Sequence, residues 1–183
     1  MEEKELVKGC KEGNEKCRRL LYEQYSPVLM GICLRYTKNE MEAEDLLHDA
    51  FIKIFTKLDS YRGEGSFEGW MKHIAVNTAI NAYRKNKDER FAADLDEIEE
   101  FTPDVTIPDA DPLTEKLLLQ FIEELPPGYR MAFNLYEIDG YSHKEVAEMV
   151  GCSEVTVRSQ LHKAKRALKQ KIEQHLKNKA EIL

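Results

Sequence analysis

The chain has 183 residues, 42% of them hydrophobic and 33% charged: enough apolar side chains to bury a core without staples, and too many for a mostly disordered protein. No run approaches the roughly 20 consecutive apolar residues of a bilayer span, and Met1-Glu2-Glu3-Lys4-Glu5 lacks the apolar stretch of a signal peptide, so a soluble, cytoplasmic protein is expected. The net charge of −7 argues against a nucleic-acid binder only until it is mapped: residues 1–90 hold 16 basic and 16 acidic side chains, residues 91–115 none and nine, residues 116–183 eleven and nine.

Helical periodicity dominates and strand-like alternation is absent. Ser26-Pro27 reads as an N-cap with proline at the first helical position, followed by an apolar stripe of Val28, Ile32 and Tyr36. A second helix is expected from about Glu42 to Leu58, with Leu47, Phe51, Ile54 and Leu58 inward and Asp45, Asp49 and Lys53 on the opposite face. After the glycine-broken stretch 61–69, a third helix is expected over about 67–85, burying Met71, Ile74, Ala75, Thr78 and Ala82. These make an N-terminal helical bundle. The four cysteines, Cys10, Cys17, Cys33 and Cys152, form no Cys-x-x-Cys pair and have no His at zinc-finger spacing, so reduced thiols are expected.

Residues 91–112 are acidic, hold three prolines and show no apolar period, the composition of an extended linker. Beyond it a helix is expected near 113–124, closed by Pro126-Pro127, and another from Tyr129 to Asp139 before Gly140. Ser142-His-Lys-Glu145 is a capping box opening a helix with Val146, Ala147 and Val150 inward. Gly151 stops it and Ser153 caps the next, whose expected buried stripe is Val155, Val157, Leu161, Ala164 and Leu168. Short helix, glycine turn and longer helix make a helix-turn-helix pattern. The expected organisation is therefore all-α: two small helical domains, residues 1–90 and 113–183, joined by the linker 91–112.

Two stretches carry chemistry. Between Val155 and Lys171 the last helix holds Arg158, Lys163, Lys165, Arg166, Lys169 and Lys171 and no acid. Arg158, Ser159, His162 and Lys163 lie away from the apolar stripe, early enough to reach base edges in a major groove, while Arg166, Lys169 and Lys171 suit phosphates. On the third helix His73, Asn77, Asn81, Arg84 and Lys85 share one face. Before it Tyr61, Phe67 and Trp70 flank a loop with Gly63 and Gly65, a place where an unpaired base could stack or be pocketed. Asp45-Leu-Leu-His48 mimics the carboxylate-x-x-His element of di-iron bundles, but the second copy such a site needs is missing, so neither metal nor cofactor is expected. Gly63-Glu-Gly-Ser-Phe-Glu-Gly69 fits neither a nucleophile elbow nor a phosphate loop, so no covalent catalysis is expected. A stand-alone helix-turn-helix regulator and a protein-interaction bundle both remain compatible with these features.

The run Ala43 to Phe55, continuing from Leu58 through Asn81, resembles domain 2 of the extracytoplasmic-function (ECF) sigma factors of bacterial RNA polymerase. Leu125-Pro126 with Asp139 to Ser159 resembles their domain 4, in the right order. The resemblance implies a promoter-specificity subunit whose partners are the polymerase core, promoter DNA and an anti-sigma factor. It places Asp45, His48 and Asp49 against the polymerase. It places Tyr61, the loop through Gly65, Ser66 and Phe67, Trp70 and Asn77 where the −10 element is read and melted, with Asn81, Arg84 and Lys85 on nearby DNA. It places Thr156, Arg158, Ser159, His162, Lys163 and Arg166 on the helix that reads the −35 element. His162 and Lys163 differ from the aromatic and arginine of a well-known member, so the −35 sequence itself does not carry over.

Overall fold

A computed structural model describes residues 2–90 and 115–180. Eight α-helices and no strand occur among the described residues: α1 (Glu3–Lys11), α2 (Glu15–Tyr36), α3 (Glu40–Lys57), α4 (Phe67–Arg90), α5 (Glu115–Glu123), α6 (Pro127–Phe133), α7 (His143–Val150) and α8 (Glu154–Ala180). The chain divides into two compact units, residues 1–81 and 82–183. The expected linker, residues 91–112, lies outside the described residues.

In the first unit α1 packs on α2 and α2 on α3. Asn14 caps α2, its side-chain oxygen accepting from the amides of Lys16 and Cys17 at 3.0 and 3.2 Å. From there α2 runs unbroken to Tyr36 with Pro27 inside it, so the expected start at Ser26-Pro27 does not occur. Proline removes one backbone donor from the ladder. Leu21 and Tyr25 before it and Leu29, Ile32 and Cys33 after it are all buried along one face, which carries the helix through. Val28 is 39% exposed and does not belong to that stripe. On α3 the expected apolar residues Leu47, Phe51 and Ile54 are buried, with Leu58 in the 3-10 turn that follows. On α4 Met71, Ile74, Ala75 and Thr78 are buried as expected; Ala82 is exposed, and Val76, Ala79 and Ile80 join the core instead. Each fully buried Leu, Ile or Phe contributes roughly 1.5–3 kcal/mol.

The second unit is built on α8, against which α5, α6 and α7 pack. Ile122, Leu125, Ala132, Phe133, Leu161, Ala164 and Leu168 form its core. Arg130 is 3% exposed, and its guanidinium donates to the carbonyls of Glu123 and Leu125 at 2.8 Å each, closing the carbonyl end of α5. Past Phe133 the helix loosens into one π turn, Asn134–Ile138. The Ser142 capping box forms in full, Gly151 takes the left-handed conformation (φ 69°), and Ser153 accepts from the Thr156 amide at 3.1 Å. Val157, Leu161, Ala164 and Leu168 are buried as expected, extended by Ile172, but Val155 is 60% exposed, because its position in the first turn of α8 faces away from the core.

Cys10, Cys17 and Cys33 are buried free thiols and Cys152 is half-buried. Burial raises the Cys33 thiol pKa to about 12, so it stays protonated. Among the described residues no helix is long and apolar enough to cross a membrane, and no group of His, Cys, Asp or Glu could hold a metal ion.

Candidate nucleic-acid interface

Two positive-φ glycines shape the segment between α3 and α4: Gly63 at 77° and Gly65 at 82°. The Tyr61 hydroxyl donates to the Gly65 carbonyl at 2.9 Å and closes the loop on itself. Ser66 then starts α4, its hydroxyl accepting from the Gly69 amide at 3.2 Å. Tyr61, Phe67 and Trp70 form one aromatic cluster, with ring centroids 4.9 Å apart for Tyr61–Phe67, 5.5 Å for Tyr61–Trp70 and 5.6 Å for the stacked pair Phe67–Trp70. Tyr61 and Trp70 are half-buried, so part of each side chain stays accessible. Phe67 is 0% exposed. The expectation that it offers a stacking face to DNA is therefore corrected: Phe67 is the floor of the cluster, held there by the edge of Tyr25 at 5.9 Å.

Beside the cluster opens a groove of about 380 Å³ lined by Lys53, Lys57, Ser60, Trp70, His73, Ile74, Asn77, Thr78 and Asn81. It brings together Trp70, Asn77 and Asn81, three of the expected residues, with two lysines that the sequence reading did not place there. Lys53 was expected on the face of α3 opposite the core; its ammonium instead turns toward α4 and donates to the Thr78 hydroxyl at 3.3 Å, while that hydroxyl donates to the Ile74 carbonyl at 2.7 Å. Lys53 and Lys57 are four apart on α3, which is the signal that could have found them once α4 was known to be the neighbour. A groove with two ammonium groups, two side-chain amides and an indole wall suits a phosphodiester chain with an unstacked base. Arg84 and Lys85, further along α4, are exposed.

On α3, Asp45, His48 and Asp49 are all exposed. Their helical face also carries Met41 and Ile52, 72% and 64% exposed, four residues before and seven residues after Asp45, as one helical face requires. The exposed face of α3 thus presents acids, an imidazole and two apolar side chains together. The acids were legible from the sequence; Met41 and Ile52 on the same face were not.

In the second unit Arg158 is exposed and Ser159, His162 and Lys163 are half-buried on α8. Arg158 meets Glu154 one turn back at 3.6 Å, an exposed pair. Thr156 takes part in the cap: its hydroxyl lies 2.9 Å from that of Ser153. Arg166 is exposed, and Lys169 half-buried. Two members of the expected basic stripe turn inward instead. Lys165 pairs with Glu137 at 2.7 Å, and Lys171 pairs with Glu124, so the assignment of Lys171 to phosphates is corrected: it ties the end of α5 to α8. His143, at the start of α7, stacks on Tyr136 with centroids 4.2 Å apart. Burial, then the charge of Arg158, holds its pKa below the ordinary 6.5, so it is neutral at neutral pH.

The Sigma-70 region 2 family model matches residues 21–89, and the Sigma-70, region 4 model matches residues 115–168. The chain is 33% identical over 178 residues to the ECF RNA polymerase sigma-E factor of Escherichia coli (strain K12), covering 92% of this chain and 93% of that protein. It is 30% identical to the protein of the same name from Haemophilus influenzae, covering 92% and 94%. Among solved structures, the sigma factor RpoE in its co-crystal with the anti-sigma factor NepR from Bartonella quintana superposes with a TM-score of 0.50 at 22% identity over 85% of this chain and 96% of that one, a likeness of fold. With both regions matched in order across most of its length, the chain belongs to the sigma-70 family, as an ECF sigma factor that directs promoter-specific transcription.

Proposed function

We propose that the first unit reads and opens the −10 element through the aromatic loop and the adjoining groove, that α8 reads the −35 element, and that the outer face of α3 docks on the polymerase core. The observation that carries this reading is the convergence of Trp70, Asn77 and Asn81 with Lys53 and Lys57 on one groove beside a self-closed glycine loop. Tyr61 and Trp70 supply stacking surface, Asn77 and Asn81 supply paired donor and acceptor groups for a base edge, and the lysines neutralise phosphate. No covalent step is involved; binding energy offsets the few kcal/mol of unstacking. Arg158 is the base-reading residue of α8, with Ser159, His162 and Lys163 beside it and Arg166 on the backbone. Thr156 places the start of α8 against the duplex through its cap. Phe67 and Ser66 act by shaping the loop.

The partners are the core polymerase and promoter DNA, and, by analogy with the anti-sigma complex of the Bartonella quintana protein, an anti-sigma factor that covers these surfaces when the chain is held inactive. The protein works in the bacterial cytoplasm. Three variants separate the roles. Asp45→Ala weakens core association in a binding titration, Asn77→Ala impairs strand opening more than duplex binding, and Arg158→Ala relaxes −35 preference in a promoter library. Loss of duplex binding by Asp45→Ala with core affinity intact would contradict the assignment of the α3 face.

A further inference from the structure

The loop between α3 and α4 has to hold one shape to read DNA, yet two of its residues are glycines and it has no regular structure between Ser60 and Phe67. Conformational entropy disfavours any single arrangement of such a segment. Two of the bonds that oppose it are local, from Tyr61 to Gly65 and from Gly69 to Ser66. A third comes from fifty positions away: the ammonium of Lys11, at the end of α1, donates to the Tyr61 backbone carbonyl at 3.0 Å.

The rest of α1 is placed to make that contact firm. Leu6, Val7 and Cys10 are buried, which seats the helix. At its other end the Tyr25 hydroxyl donates to the Glu3 carboxylate at 3.2 Å, and the Tyr25 ring is the one that meets Phe67 edge-on. Lys11 itself lies in the last turn of α1, where a cation complements the helix's free carbonyls. Both ends of one short helix thus touch the aromatic cluster, one through Tyr25 and one through Tyr61.

We propose that Lys11 is a positioning residue for the promoter-reading loop: its ammonium pins the Tyr61 carbonyl and thereby sets the face that Tyr61 and Trp70 present. Lys11 acts through Tyr61 and needs no contact with DNA. The inference rests on the reading of that loop as the −10 site. Residues 21–89 carry the region 2 match, so α1 and Lys11 lie outside it.

Trp70 is the chain's one tryptophan, which gives the cluster its own signal. In the full-length chain Lys11→Met keeps the aliphatic stem and removes the donor, and Lys11→Arg keeps a donor of similar reach. Lys11→Met is expected to shift Trp70 emission and increase its quenching by acrylamide while the far-ultraviolet circular dichroism stays unchanged. In the reconstituted holoenzyme it should lower open-complex formation, followed by permanganate reactivity, about three- to tenfold, the size of one ordinary net hydrogen bond at an exposed site. Core affinity and −35 duplex binding should not move, and Lys11→Arg should restore both signals. Unchanged Trp70 emission in Lys11→Met, or a loss that Lys11→Arg does not restore, would overturn the positioning role. Changed emission with normal opening would overturn the promoter role of the loop instead, which keeps the two failures distinct.

Discussion

Arg158 leans on Glu154 at 3.6 Å, one helical turn apart, with both side chains about half-exposed. An exposed pair at this spacing is worth only about 0.3–0.5 kcal/mol, so it holds the arginine back only weakly. Glu154→Gln should therefore free the guanidinium and remove an acid from the DNA side, tightening duplex binding roughly two- to threefold with the effect fading at high salt. Fluorescence anisotropy on a −35 duplex at two salt concentrations checks this; weaker binding would mean that Glu154 holds Arg158 in its reading position.

The basic residues of α8 divide by partner. Arg166 is exposed, whereas Lys171 is committed to Glu124. Arg166→Ala should reduce the salt dependence of duplex binding by about one unit of slope, and Lys171→Ala should leave that slope unchanged while lowering thermal stability slightly. Equal slopes for the two variants would show that the ion pair opens on DNA.

Phe67 and Trp70 should part company on stability. Removing the fully buried ring by Phe67→Ala is expected to cost about 3–5 kcal/mol and to shift the thermal midpoint before any assay of opening is meaningful. Trp70→Ala, at a half-buried position, should cost less stability than Phe67→Ala and lose promoter opening. Chemical denaturation of both variants beside permanganate footprinting separates floor from contact.

His143 gives the second unit a pH dependence of predictable sign. Its folded pKa is held below the ordinary 6.5 by burial and by Arg158, and more weakly by Lys165, against the opposing pull of Glu154 and Glu137. The unfolded chain therefore takes up a proton first, so the contribution is fully present above about 6.5 and is lost as pH falls through the folded value. Glu145, whose carboxyl is held low by hydrogen bonds from Ser142, titrates in a lower window, below its ordinary 4.5. Between pH 7.5 and 5.5 the thermal midpoint of the wild type should fall more than that of His143→Gln. Parallel curves would remove His143 from the account.

Much of this was legible in the sequence where the signal is local. The Ser142–Glu145 box, the left-handed Gly151 and the Ser153 cap each depend on residues within one turn, and all three form. The failures are places where tertiary packing outweighs a local cue. Ser26-Pro27 looks like a helix start, but the buried face running through Tyr25, Leu29 and Ile32 holds α2 together across it. Val155 and Ala82 are apolar at helical spacing yet exposed, since periodicity alone does not say where the stripe's edge falls. The residues of the loop and of Asn77 could be named from sequence. The lysine side of the groove could not, because it depends on which face of α3 meets α4, and neither could Lys11, whose partner lies fifty positions away.

Run-off transcription with purified core polymerase, a genomic promoter library and this chain, beside a pull-down of the core, reads core binding and promoter choice in one experiment. Core binding is expected, with a set of promoter-specific transcripts that appear only when chain and core are both present and that share −35 and −10 elements. Tight duplex binding by the chain alone, with no core association and no new transcripts, would contradict it.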